Sequence, residues 1–267
     1  MPLITKNKVH FVSTYFSQPS HPITINLIGV GGTGSLLLGR LTKLHLVLLD
    51  LGHPGIFVKA FDGDSFEKHN KYRQLCTPMD IGRNKAVAMI EKINLNFGFG
   101  WEAVQDNYDV KKNIDMANIT ISCVDCAAFR NDFHSHTLFD RDKVYSSDFY
   151  DFKTPFYWLD CGNGKNFGQI ILGSIQKIKQ PKTNSFITVD HLKNVVDIYG
   201  NMEEYDNEIT QKTKGCSVAS LLEEQDVFVN DMAAVFAANI LKKIFLDVNI
   251  KNNGVIFSNF KSLPINL

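Results

Sequence analysis

Along the first half of the chain, short apolar runs alternate with longer segments in which apolar residues recur every three or four positions. "ITINLIG" (23–29) has the character of a buried strand, and "SLLLGRLTKLHLVLLD" (35–50) has the length and leucine spacing of a helix. "HPG" then breaks the chain, and "IFVKAFDGD" (56–64) gives a second strand. The alternation continues with a helix over 82–98, strands over 101–108 and 119–125, and a helix over 127–139. Such a series predicts an α/β fold with a mainly parallel sheet and helices on both faces. Ligands of such sheets sit beyond the carboxyl ends of the strands.

After residue 150 the pattern changes. "FYWLDCGNGKNFGQIILGSIQKI" (156–178) predicts two strands joined by a Gly/Asn turn, an antiparallel extension of the sheet. A polar stretch over about 179–215 follows, with one helix expected at "VDHLKNVVDIYG". "NDMAAVFAANILKKIFLD" (230–247) reads as a helix capped by Asn230, and "GVIFSNF" (254–260) as a closing strand. Residues 1–21 have little regular period and are expected to form a short hairpin or an ordered arm. There is no internal repeat and no low-complexity segment.

Composition narrows the class. The 267 residues suffice for a substantial core, and 28 basic against 28 acidic side chains give no overall charge that would favour nucleic acid or a membrane surface. No cleavable leader pattern and no long apolar span is present, so a cytoplasmic protein is expected. The five cysteines, Cys76, Cys123, Cys126, Cys161 and Cys216, are an odd number and are read as reduced thiols.

Gly29, Gly31, Gly32 and Gly34 form G-x-G-G-x-G between a strand and a helix, the context of a Rossmann-like nucleotide turn. Without Cβ atoms, such a turn lets backbone amides reach phosphate oxygens at the positive end of the helix. No G-x-x-x-x-G-K-[ST] is present, which excludes a Walker-type loop. Asp62, at the end of the second strand, is placed to accept ribose hydroxyls of either NAD or ATP. "DGDSFEKHNKYRQL" and "GRNKA" then gather Asn70, Arg73, Gln74 and Lys85 in one polar span. A triphosphate carries more charge than a dinucleotide and invites fixed cations and amides, so the span favours ATP.

"GVGGTGS", "DGDSFEKHNKYRQL", "GRNKA" and "SCVDCAAFRND" occur in the order and spacing of the ThiF/MoeB/HesA family, the ubiquitin-activating-enzyme-like adenylyltransferases. The resemblance runs from about residue 23 to 260. The compact length resembles most the ThiF-related branch of PRTRC gene cassettes. It implies one adenylation domain over 1–267, with an arm (1–22), a nucleotide-binding half (23–150) and a carrier-binding half (151–267) holding a crossover loop at about 179–215. It further implies that Asp62 binds ribose, that Asn70, Arg73, Gln74 and Lys85 hold the triphosphate, and that Asp125 binds Mg2+, with Arg130 and Asn131 in support. The implied reaction is attack of the carboxy-terminal glycine of a ubiquitin-like or sulfur-carrier protein on the α-phosphate of ATP.

In many family members a cysteine before the last long helix then takes the activated group, and "KGCSVASLL" puts Cys216 there, beside Lys214. Alternatively Cys216 is an inert packed thiol. The family's two zinc-ligand pairs are missing, and the pair Cys123/Cys126 cannot by itself make a four-thiolate site, so no zinc is expected. His134 and His136 are expected at the surface. Family members are usually homodimers with an amino-terminal arginine reaching the partner's ATP site, whereas residues 1–22 hold no arginine. Gly39 and Arg40 interrupt the first helix without an evident purpose. Two other functions share the glycine turn: a docking scaffold without turnover, and an NAD-dependent oxidoreductase.

Overall fold

The structure, a computed structural model, describes residues 6–112, 116–138, 150–201, 226–258 and 261–267. The chain begins with a short strand, β1 (Lys8–Phe11), and a 3-10 turn at Thr14–Phe16. The predicted βαβ unit follows as β2 (Ile23–Ile28), α1 (Gly32–Asp50) and β3 (Ile56–Phe61). Next come α2 (Lys85–Phe97), β4 (Glu102–Val104), β5 (Ile119–Ser122) and α3 (Ala127–Thr137). β6 (Tyr157–Asn163) and β7 (Phe167–Ser174) form the hairpin predicted from the Gly/Asn turn. The remainder is β8 (Ile187–Thr188), α4 (Val195–Tyr199), α5 (Val229–Lys242), β9 (Asn249–Ile250), β10 (Asn252–Ser258) and β11 (Lys261–Asn266).

Eight strands make one sheet in the order β11-β10-β7-β6-β5-β2-β3-β4. Pairings from β6 to β4 are parallel, and those from β6 to β11 are antiparallel. Alternation of side chains sorts the core into two layers. Ile23, Ile25 and Leu27 of β2 pack with α1, α2 and α5 on one face. Ile28, Trp158 and Ile171 meet Phe133 of α3 and Val195 of α4 on the other. The strand order turns back at β2, because β3 lies on one side of it and β5 on the other. That switch point places the loops after β2 and β5 side by side, where open α/β sheets bind ligands.

Several boundaries depart from the pattern. α1 starts on Gly32 rather than at residue 35, because the glycines themselves take helical geometry. β4 stops at Val104 and not at Tyr108, and β5 stops at Ser122 and not at Asp125. α2 begins at Lys85 because the Asn84 side chain accepts from Val87 N–H, and it ends against the left-handed Gly98. Asn230 does not cap α5: it is the second residue of that helix, after Phe228, and its side chain is buried elsewhere. β10 is paired by β11, a strand the pattern did not separate. Arg40 has a purpose after all, since its guanidinium meets Asp231 of α5 at 3.3 Å and ties the two long helices together.

Of the two forms expected over 1–21, a short hairpin or an ordered arm, the described residues from 6 onward take the arm. β1 pairs with β8 in parallel and with β9 in antiparallel, making a second sheet of three strands. Phe16 is fully buried, with its ring against Phe156, Tyr157 and Phe245. Fully buried His10 donates from Nδ1 to the Val189 carbonyl at 2.7 Å, so its Nε2 accepts from the Tyr157 hydroxyl at 2.9 Å. That pattern needs the neutral ring, and burial lowers the His10 pKa to about 4.

Between that value and the ordinary one of about 6.5, the unfolded histidine takes a proton that the folded one refuses, so stability falls as pH falls across this window. The loss amounts to about 3 kcal/mol when complete. Denaturant unfolding from pH 7 to 4 will show this slope, and His10→Gln will flatten it.

Candidate functional site

The glycine turn is set by backbone contact. Gly29, with φ +87°, donates its N–H to the Phe61 carbonyl at 2.9 Å. A Cβ on Gly29 would stand 2.6 Å from the Cys123 carbonyl oxygen, and one on Gly34 would stand 2.0 Å from the Gly29 carbonyl oxygen. Gly32 lies against Asn230, which would be 2.7 Å from an added Cβ. Gly31 is the exception: among the described residues nothing comes within 4 Å of where its Cβ would be. It caps α1, and a glycine brings no side chain to satisfy the first amides of the helix, the groups that favour an anion at a helix N-terminus.

Behind the turn, Asn230 Oδ1 accepts from Thr33 Oγ1 at 3.1 Å and from Asn163 Nδ2 at 2.7 Å. These three side chains join the first turn of α1 to the start of α5 and the end of β6.

Asp62 is buried directly after β3. Its Oδ2 accepts from Val30 N–H at 2.6 Å and its Oδ1 from Asp64 N–H at 2.9 Å. Burial raises its pKa, against those two bonds and the charge of Lys85, which lower it. Lys85 is mostly buried at the start of α2 and reaches the exposed carboxylate of Asp64 at 2.8 Å. Asn84 holds this corner by donating to the carbonyls of Asp62 and Asp64.

Asn70 is buried in a 3-10 turn over Lys68–Tyr72, where its Oδ1 accepts from Glu67 N–H. Arg73 follows at the end of that turn. Gln74 Oε1 is buried without a hydrogen-bond partner among the described residues, and the next residue, Leu75, donates its N–H to Ser35 Oγ of α1 at 3.3 Å. The polar span therefore packs on the helix that the glycine turn opens.

Asp125 is exposed in the loop between β5 and α3. Cys123 N–H donates to the Ile28 carbonyl at 2.8 Å, so this loop leaves the sheet against the glycine turn. Arg130, expected as a supporting residue, is buried on α3 and paired with Asp160 at 2.8 Å. Asn131 is half-buried and donates to Asn201 Oδ1. Cys216 and Lys214 lie outside the described residues.

The two cysteines of C-x-x-C have different surroundings, Cys126 being exposed and Cys123 facing Cys161. Cys161 is pushed well above the usual thiol range by its hydrogen bond with Cys123 and by burial, which makes it a poor nucleophile. His136 is exposed as expected, but His134 is half-buried and meets Asn194, the cap of α4, because α4 packs across α3.

Beside Asp62, a cleft of about 640 Å³ opens between the ends of β3 and β4 and the start of α3. Its apolar walls include Phe61, Val104, Tyr108, Val110 and Phe129. The Tyr108 ring meets Phe61 edge-on at 5.0 Å, and Asn107 accepts from Gly63 N–H at the cleft's edge. The pattern of the sequence carried a strand through Tyr108 and so did not single out these residues; the Asp-Asn pair that precedes Tyr108 is the turn signal that marks the break.

No protein-family model and no curated protein matches the sequence. Solved structures do match in three dimensions. E. coli MccB crystallised with succinimide superposes with a TM-score of 0.58 at 15% identity, covering 91% of this chain and 63% of that one. MccB crystallised with AMPCPP and MccA gives 0.56 at 15% identity, again over 91% and 63%. PaaA gives 0.54 at 15% identity over 91% and 64%. The chain shares their fold. It spans a little under two thirds of their length.

The contacts at the turn separate a crowded glycine from an open one. Gly34→Ala will lower thermal stability markedly, since its methyl would overlap the Gly29 carbonyl. Gly31→Ala will change stability by no more than about 0.5 kcal/mol, since among the described residues nothing meets its methyl. Thermal melts would measure both.

Proposed function

We propose that the chain activates a carboxylate of a peptide or small protein by adenylating it with ATP. The observation that carries this is the meeting, at one switch point, of the open glycine turn, buried Asp62 and the Asp125 loop, with an aromatic cleft alongside. The shared fold adds support, because MccB has been crystallised with ATP and with AMPCPP and MccA. The motifs that resemble the ThiF/MoeB/HesA family point the same way.

In this proposal the nucleobase enters the cleft between Phe61, Tyr108 and Phe129, and the ribose hydroxyls donate to Asp62. The amides around Gly31 and the start of α1 hold phosphate, and Asn70, Arg73, Gln74 and Lys85 close around the triphosphate. Lys85 then exchanges Asp64, a solvent-exposed and so weakly held partner, for a phosphate oxygen. A carboxylate oxygen of the partner forms a bond to the α-phosphorus, the bond to the bridging oxygen of the β-phosphate breaks, and pyrophosphate leaves. The attacking group is already ionised, so no base is required and positioning supplies the catalysis.

The donor set suits Mg2+. Among the described residues no three His, Cys, Asp or Glu side chains group to hold a metal alone, and Asp125 is exposed at the crevice. Mg2+ characteristically takes one or two carboxylates and completes its shell with phosphate oxygens and water. Bound there, it would neutralise charge on the departing pyrophosphate.

The finer proposal is that the partner is ubiquitin-like or a sulfur carrier ending in glycine. Cys216 then attacks the acyl carbon, forming a thioester as AMP leaves.

ATP–pyrophosphate exchange with Mg2+, run against candidate small proteins, tests the reaction. Exchange that needs one partner and its terminal glycine is expected. ATP binding without exchange for any of them would favour the docking scaffold. Cys216→Ala should keep exchange and lose the covalent adduct; an adduct that persists excludes Cys216. Because ionised Asp62 accepts from ribose more strongly than its neutral form and its pKa is raised, ATP affinity will start to fall above the ordinary carboxylate range as pH is lowered. Titrations from pH 7.5 to 5 would show it.

A further inference from the structure

Arg130 makes a set of bonds that packing alone does not require. Its Nε donates to Asp160 Oδ1 at 2.8 Å, its NH2 group to the Val124 carbonyl at 2.8 Å, and its NH1 group to the Cys126 carbonyl at 3.5 Å. Val124 and Cys126 are the neighbours of Asp125 on either side. One planar guanidinium therefore grips the backbone before and after a single exposed acid.

Asp160 anchors the grip from within the sheet. It is buried on β6, and its Oδ1 also accepts from Ser122 Oγ at 2.7 Å, at the last residue of β5. Ser122 Oγ accepts in turn from the Trp158 indole N–H at 2.8 Å. The relay runs from an indole fixed in the core, through a hydroxyl and a carboxylate, to the arginine and the loop. A buried ion pair often adds little net stability compared with apolar packing of the same volume. What this pair adds is direction, because the fork of arginine can hold two carbonyls at set angles where the point charge of lysine cannot.

We infer that Arg130 is a positioning residue: held by Asp160, it fixes the backbone around Asp125 so that the carboxylate is already aimed at the metal site before nucleotide and cation arrive. The inference rests on the assignment of Asp125 to Mg2+ made above. Pre-set aim removes the cost of ordering an exposed loop each time the metal binds. Removing an outer support of a metal ligand characteristically costs ten- to a hundredfold in metal affinity.

The test reads metal affinity apart from nucleotide affinity. Mn2+, a paramagnetic substitute for Mg2+, is titrated by electron paramagnetic resonance into the full chain with AMPCPP, and AMPCPP alone is titrated in EDTA by calorimetry. The variants are Asp125→Ala, Arg130→Lys, Asp160→Asn and the double variant Asp125→Ala/Arg130→Lys. Arg130→Lys and Asp160→Asn should each weaken Mn2+ about tenfold or more while leaving AMPCPP affinity in EDTA within about twofold. The double variant should bind Mn2+ no worse than Asp125→Ala, because a positioning residue has no effect once its target is gone.

Unchanged Mn2+ affinity in Arg130→Lys, with a loss in Asp125→Ala, would overturn the inference and leave the metal assignment standing. No loss in Asp125→Ala would overturn both. Equal loss of Mn2+ and AMPCPP affinity in Arg130→Lys would mean that the arginine holds the fold and not the aim.

Discussion

Three lengths of backbone meet where residue 34 leaves no room for a side chain. The start of α1 rests on the carbonyl of Gly29, and Gly29 rests on the carbonyl of Cys123. This contact sets the height of α1 above the sheet and brings the exits of β2 and β5 together. It also leaves Gly31, open among the described residues, at the mouth of the helix. The crevice depends on it, because the start of α1, the bond from Val30 to Asp62 and the loop with Asp125 are all held against the same few atoms.

Asp160 and Asp62, both buried, meet the cost of desolvation in opposite ways. Asp160 is neutralised by a guanidinium and shares one oxygen among two donors, while its Oδ2 has no hydrogen-bond partner among the described residues. Asp62 relies mainly on two amides and the distant charge of Lys85, and its pKa stays raised. The first arrangement suits a fixed strut. The second suits an acceptor that gains from the arrival of further donors, since hydroxyl groups of a ligand would stabilise the charge that burial disfavours.

The strands and helices of the parallel half, and their order, were legible because burial in a parallel sheet demands continuous apolar runs and covering helices demand a 3.6-residue period, whereas the short strands β1, β8 and β9 and the edge strand β11 carry no such run. The glycine spacing and the strand-end acid Asp62 were legible for the same local reason. What escaped were features decided by distant partners. Asn230 has the composition of a cap, yet a site of burial against Gly32 and Thr33 claims its side chain. Tyr108 looks like the end of a strand until its ring is seen to wall a cleft with residues from β3 and α3. Arg130 has the spacing of a capping residue, and only the fold shows its guanidinium reaching back to β6.

The three-stranded sheet of β8, β1 and β9 joins segments almost 180 residues apart, as the bond from His10 to Val189 measures, and Val12 donates to Val248 on the other side. Contacts so remote in sequence repay their loop-closure entropy only after the intervening chain has been ordered. The small sheet therefore works as a latch that engages late in folding. Amide exchange at β1 would therefore report the opening of this latch by itself, apart from the unfolding of the large sheet, whose halves are already joined through β5 and β6.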